Sequence, residues 1–246
     1  MEADHRAPRL YVDDDLKPER TLTLSRDHSH YLLNVMRCRT GTVVRLFNGR
    51  DGEWAAELLE TSRKQADLVL RRLMRPQVPL GRISWLFAPL KQARLDYMVQ
   101  KAVEMGVASL QPVLTQHTMV QRLNLDRMRA NAIEAAEQCH LLAIPAILPE
   151  MKLDKALAEL PQGTSLVFCD EGADLAPPIE ALKAVPADRP VAVLIGPEGG
   201  FSEKERQSLL SYAGVIRLSL GPRIMRADTA AVAALTLVQA VCGDLA

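Results

Sequence analysis

Ile195-Gly-Pro-Glu-Gly-Gly-Phe-Ser202 and Leu220-Gly-Pro-Arg-Ile-Met-Arg-Ala-Asp-Thr-Ala230 are the most informative stretches of this chain. Each follows an apolar run, Val191 to Leu194 and Val215 to Leu218, that reads as a buried strand. Each precedes a helix-like pattern. Two strand–loop–helix turns in succession predict an α/β domain with a ligand cleft at the carboxyl edge of a parallel sheet. In the first turn, Gly196, Gly199 and Gly200 let the backbone approach a ligand closely, and Pro197 stiffens the loop. Ser202 with Glu205 three residues on fits a capping box starting a helix near Glu203. In the second, Gly221 and Pro222 break the strand, and Asp228 or Thr229 is placed to cap a helix running to about Cys242. Gly/Pro turns are common in α/β proteins. Arg223 and Arg226, set beside apolar residues, favour a functional loop here.

The known phosphate loops do not fit. No Lys-Ser/Thr pair follows Gly199-Gly200, where Phe201 stands, and no G-x-G-x-x-G opens a helix. A ligand held by backbone amides and carbonyls, such as an adenosine without phosphates, is compatible.

Outward from these loops, strands Ser84–Ala88, Leu110–Leu114, Ser165–Cys169, Val191–Ile195 and Val215–Leu218 predict a five-stranded, mostly parallel sheet over residues 83–246. A helix with Leu95, Met98, Val99, Ala102 and Val103 on one face is stopped by Gly106, and a second runs from about Asp126 to Cys139. The last helix, Ala230 to Val241, is apolar on nearly every side, so it must be covered by its own core or by another copy. Residues 76–82 read as a Pro/Gly linker. Before it, residues 1–75 carry strands Arg9–Val12, Thr21–Leu24, Thr42–Phe47, Glu53–Leu59 and Ala66–Leu70, with a short helix Tyr31–Arg37 capped by Asp27. That is a small β-barrel of a kind used to hold RNA.

With 30 basic and 30 acidic residues the formal net charge is zero, which excludes a globally basic nucleic-acid binder. Residues 1–82 hold 15 Lys and Arg against 12 Asp and Glu, a net of +3, leaving −3 for the rest. Cys38, Cys139, Cys169 and Cys242 are scattered with no C-x-x-C pair, so neither a metal site nor a disulfide framework is expected. An acidic, polar start and no apolar run near ~20 residues predict a cytoplasmic protein with no membrane partner.

The paired C-terminal motifs resemble the RsmE family of 16S ribosomal RNA uridine-N3 methyltransferases, of the SPOUT class. Arg9-Leu-Tyr11, His30 to Arg37, Leu46-Phe-Asn-Gly49, Gln100 to Gly106 and Glu137-Gln-Cys139 extend the likeness over essentially the whole chain. There are departures. The second loop reads Met-Arg-Ala-Asp-Thr where many relatives have Leu-Arg-Thr-Glu-Thr. Thr115 to Gln121, including His117, is less charged than the usual pattern, and His140 with the residues after it stands where many relatives carry a basic residue.

The resemblance implies a SPOUT-type domain with a trefoil knot behind a PUA-like barrel, S-adenosylmethionine as cofactor, and 16S ribosomal RNA or the 30S subunit as partner. It also implies a homodimer. By resemblance, Gly196, Pro197, Glu198, Gly199 and Gly200 with Leu218, Leu220, Gly221, Ile224 and Met225 wrap the cofactor, and Asp170 and Glu171 add a third loop. The imide N3 of uridine must lose its proton, spreading charge onto O2 and O4. Arg226 is the candidate to stabilise that charge, since guanidinium stays protonated and offers a fork of donors; a phosphate clamp or a salt bridge to Asp228 is the other role open to it. Glu198 is a catalytic candidate beside Arg226, and it and Asp228 are the nearby carboxylates, with the proton acceptor left open between them. Arg9, His30, Arg37 and Lys91 are the candidate RNA contacts. A silent RNA-binding assembly factor, or a SPOUT enzyme acting on another base, is the alternative.

Overall fold

A computed structural model describes residues 7–62, 65–120, 122–170 and 176–245. It divides into two compact units, residues 1–79 with 136–144, and residues 80–135 with 145–246. The sequence places a contiguous second domain from residue 83; the chain instead lends residues 136–144 to the first unit.

The first unit holds β1 (Arg9–Tyr11), β2 (Thr21–Thr23), α1 (Arg26–His30), β3 (Val43–Phe47), β4 (Glu53–Ser62) and β5 (Gln65–Arg75). The sheet order is β1-β3-β4-β5-β2, parallel at β1–β3 and antiparallel elsewhere. Register shifts along β4–β5 bend the pair. Alternation sends Leu22, Val44, Leu46, Leu58, Leu68 and Leu70 to one core, closed by Leu32. The connection between β3 and β4 is an Asx turn: Asn48 Oδ1 accepts the N–H groups of Arg50 and Asp51 at 2.9 and 2.8 Å. Gly52 there has φ +80°, and a Cβ on it would lie 2.3 Å from the Arg75 carbonyl oxygen.

The helix begins earlier than the sequence predicts. Ser25, not Asp27, caps it, its Oγ accepting the His28 N–H at 3.2 Å. Asp27 instead sits in the first turn, where its charge complements the helix dipole. The chain then widens into a π-helical turn, Tyr31–Val35, and leaves it through Arg37 at φ +55°.

The second unit continues with β6 (Ile83–Phe87), α2 (Gln92–Glu104), β7 (Ser109–Leu114), α3 (Leu125–Gln138, its last residues in the first unit), β8 (Ala146–Ile147), β9 (Met151–Lys152) and α4 (Leu153–Glu159). β10 (Ser165–Cys169), α5 (Pro178–Leu182), β11 (Val191–Ile195), α6 (Glu203–Leu210), β12 (Val215–Leu218) and α7 (Ala227–Cys242) complete it. All strands are parallel, in the order β12-β10-β11-β6-β7-β8, with β9 also on β7. The sheet therefore exceeds the five strands expected by two pieces of two residues each. β11 is buried throughout, and Trp85 stacks on Phe87 at 4.1 Å. α2 buries the five apolar residues that its periodicity marks.

α7 starts one residue after Arg226, with no side-chain cap from Asp228 or Thr229; Asp228 Oδ1 accepts the adjoining Thr229 N–H at 2.9 Å. Alone, the chain covers one side of this helix, through Ala231, Ala234, Leu235, Val238 and Cys242. Its far end is held by Arg82, in the stretch read as linker. The guanidinium donates to the Cys242 carbonyl at 2.7 and 3.2 Å, to Pro186 O at 2.7 Å and to Arg189 O. Cationic donors at a helix C-terminus match its dipole. Arg82→Ala is expected to cost about 1.5–3 kcal/mol, the worth of hydrogen bonds to a charged group, measured by urea unfolding; a loss within error would show that water replaces the clamp.

Candidate active site

Because the strands of the second unit are parallel, the segments after β6, β7, β11 and β12 all leave one edge of the sheet. β6, β7 and β8 run one way across it, while β10, β11 and β12 lie on the other side of β6, so the β6–β11 pair marks the change of direction where open α/β folds hold ligands. The first signature loop follows β11 at that point, and the second follows β12, which lies beyond β10 at the end of the sheet.

The first loop is a tight turn. Gly200, at φ +69°, donates its N–H to Pro197 O at 2.9 Å. Gly196 lies under the Phe201 ring: a Cβ would come 2.6 Å from Phe201 Cε2, and that ring is held edge-on by Phe168 at 5.4 Å. Ser202 and Glu205 form the expected capping box; Ser202 N–H donates to Glu205 Oε2 at 2.9 Å, and Glu205 N–H to Ser202 Oγ at 3.4 Å. Glu205 Oε1 also accepts the Gln116 N–H at 2.7 Å, tying the turn after β7 to α6. On that turn His117 Nδ1 lies 3.0 and 3.1 Å from the carbonyl oxygens of Gly199 and Gly200. Glu198 is exposed and ion-paired with Arg94 of α2.

The second loop runs from buried Leu218 through half-buried Ser219 and Leu220 to Gly221 at φ +96°. Ile224 is 92% exposed, an apolar side chain without protein cover, and Met225 is half-buried. Arg223 and Arg226 are exposed and make no ion pair among the described residues. Arg226 is anchored through its backbone, whose carbonyl accepts the Ala230 N–H at 2.8 Å.

Asp170 does not join the site as a ligand-facing carboxylate. It is buried, and Arg206 and Arg217 both reach its Oδ2 at 2.8 Å. Its backbone N–H donates to Leu218 O at 3.0 Å, so it pins the roots of the loops. Glu171 lies outside the described residues. Burial pushes the neighbouring Cys169 thiol up to about 12, which keeps it protonated and unreactive at neutral pH.

Of the candidate RNA contacts, Lys91 is exposed just before α2. In the first unit, His30 and Arg37 are exposed, His30 Nδ1 lying 3.2 Å from Asn34 Nδ2. Arg9 is a correction. It is buried, its Nε 2.5 Å from Glu53 Oε1, its other donors on the carbonyls of Ala136, Glu137 and Leu141, and its guanidinium 3.8 Å over the Phe47 ring. Every donor face is used inside the unit, so it is not available to RNA. No signal local to Arg9 in the sequence shows this.

Residues 76–239 match the RNA methyltransferase domain, and residues 24–71 the RNA methyltransferase PUA domain. The chain belongs to the RNA methyltransferase family. Within this family, ribosomal RNA small subunit methyltransferase E of Rickettsia conorii is 27% identical over 232 residues, 94% of each chain. The Neisseria gonorrhoeae protein of that name, solved bound to S-adenosyl methionine, superposes with a TM-score of 0.82 at 27% identity, covering 98% of this chain and 100% of that one. A Legionella pneumophila methyltransferase solved with its cofactor SAM gives 0.83 at 29% identity, covering 96% and 98%. The PUA-like first domain and α/β methyltransferase domain implied by the resemblance are thus those of the family. Among the described residues no group of His, Cys, Asp and Glu could hold a metal ion, and no helix is long and apolar enough to cross a membrane.

One prediction concerns the first loop. Gly196→Ala is expected to force the Phe201 ring off Phe168, at about 1–3 kcal/mol of overpacking, and to displace the loop. S-adenosylmethionine affinity, measured by calorimetry, should fall more than stability does; unchanged affinity would mean that Gly196 does not shape the binding surface.

Proposed function

We propose that this chain transfers a methyl group from S-adenosylmethionine to N3 of a uridine in 16S ribosomal RNA. The observation that carries the reading is the pair of Gly/Pro loops at one sheet edge, with Arg226 exposed and without an ion-pair partner among the described residues. The residues suit this cofactor. Around Gly200 and Gly221 a Cβ would meet nothing within 4 Å, leaving open backbone surface. Leu220, Ile224 and Met225 offer apolar cover for an adenosine, and no phosphate-binding loop is present.

In this reading Gly196, Pro197, Glu198, Gly199, Gly200, Leu218, Leu220, Gly221, Ile224 and Met225 hold the cofactor, which when bound supplies an electrophilic methyl group. Arg226 holds the uridine by O2 or O4 and stabilises the charge that deprotonation of N3 leaves there. Alignment of nucleophile and methyl can supply much of the rate, up to roughly 7–11 kcal/mol. Glu198, held by Arg94, serves as loop structure beside the cofactor. His30 and Arg37 of the first unit, with Lys91, contact RNA or the 30S subunit.

The same reading makes the protein a cytoplasmic homodimer with a knotted C-terminal domain, as the resemblance implies. The side of α7 that the single chain leaves partly open, Thr229, Val232, Ala233, Thr236, Leu237 and Ala240, is uncharged and mostly apolar, which supports pairing with a second copy. Sedimentation at micromolar concentration tests this.

The deciding experiment is methylation of 30S subunits from cells lacking the activity, with labelled S-adenosylmethionine and nucleoside analysis. A 3-methyluridine product is expected. A different methylated nucleoside would move the target, and cofactor binding without any transfer would favour a silent assembly factor.

A further inference from the structure

The turn after β7 is a braced element. Thr118 N–H donates to Thr115 O at 3.2 Å, Thr115 N–H to Thr118 Oγ1 at 3.0 Å, and the two hydroxyl oxygens lie 2.9 Å apart. Gln116 N–H is fixed on Glu205. The turn thereby holds His117 against the first signature loop, where Nδ1 meets two carbonyl oxygens, Gly199 O at 3.0 Å and Gly200 O at 3.1 Å. Both partners only accept, so Nδ1 must carry a hydrogen. Contact is close as well: a Cβ on Gly199 would lie 3.2 Å from His117 Cβ.

We infer that His117 is a positioning residue for the cofactor loop, its Nδ1–H fixing the peptide planes that follow Gly199 and Gly200. The C=O and N–H of one planar trans peptide point in opposite directions. Holding the two carbonyls therefore also aims the N–H groups of Gly200 and Phe201. The first of these closes the turn onto Pro197 at 2.9 Å. Without the imidazole, the Gly199–Gly200 pair keeps its flexibility and the loop samples other planes. The inference rests on the reading that this loop holds S-adenosylmethionine.

Three substitutions separate the donor from the ring. His117→Asn can set an amide N–H near the place of Nδ1, His117→Gln offers one nearer the place of Nε2, and His117→Phe keeps the ring without a donor. Amide hydrogen exchange over residues 196–201 is measured on the cofactor-free protein, and S-adenosylmethionine affinity by calorimetry. In His117→Phe the loop should exchange faster and Kd should rise about tenfold, the loss of roughly one net hydrogen bond. His117→Asn should restore most of both, and His117→Gln little. Wild-type exchange in His117→Phe would overturn the inference, as would equal impairment in all three variants. Faster exchange with unchanged Kd would leave an anchor with no bearing on the cofactor, which also overturns it. If the wild-type protein binds no S-adenosylmethionine, the proposed function fails on its own, and with it the cofactor role of His117; the exchange series then decides only whether His117 braces the loop.

Discussion

Replacing Glu53 with Gln should remove about 3–5 kcal/mol of folding free energy, the usual cost of breaking a buried ion pair from one side. Glu53 is 1% exposed and faces three guanidinium groups, with Arg9 Nε at 2.5 Å and Arg45 and Arg75 each at 3.9 Å. Arg9 and Arg45 are themselves buried. Gln preserves shape and one acceptor oxygen but leaves those cations without their counter-charge, and guanidinium does not escape by losing its proton. Urea unfolding of the full chain gives the value. Adding Arg9→Met to Glu53→Gln should recover part of the loss, because one uncompensated charge disappears with it. A loss below ~1 kcal/mol would mean that water enters the cluster and screens it.

The second large effect concerns turnover. Arg226→Ala should lower methyl transfer to 30S subunits by about 10²–10³-fold, the usual worth of a positioned donor to developing charge. Cofactor affinity should be nearly retained. Arg226 is fixed at its backbone by the first turn of α7, while its side chain is exposed and without an ion-pair partner among the described residues. Arg226→Lys should recover only a fraction, since an ammonium is a point charge and cannot bridge two acceptors in one plane. Single-turnover rates with parallel calorimetry decide the matter. A matching fall in cofactor affinity would make Arg226 a cofactor ligand, and an unchanged rate would remove it from the chemistry.

Much of the second unit was legible because its signals are local. β10, β11 and β12 have the limits that their apolar runs mark, and the Ser202–Glu205 box starts α6 where three-residue spacing says it must. β8, β9, α4 and α5 were not legible, being too short to show a period. Arg9 failed for a different reason. An arginine in a strand reads as surface, and what buries this one is Glu53, 44 residues on, and carbonyls more than 120 residues on. His117 belongs to the same class, because its partners are 82 and 83 residues away. Asp170 sits where a loop carboxylate is expected, and only the positions of Arg206 and Arg217 show its charge to be committed.

The loan of residues 136–144 to the first unit has a consequence for the order in which the protein is made. When residue 79 has left the ribosome, Arg9 has Glu53 but none of the carbonyls that complete its shell. Those arrive only after a further stretch of chain, at ~5–20 residues per second a wait of about 3–13 s. During that interval the guanidinium has water in place of those carbonyls, and its shell closes only after part of the next domain has been synthesised. Neither unit can be released by a single cut in the gene. A fragment ending near residue 79 lacks the carbonyls of Ala136, Glu137 and Leu141, so amide hydrogen exchange around Arg9 should be faster in it than in the full chain.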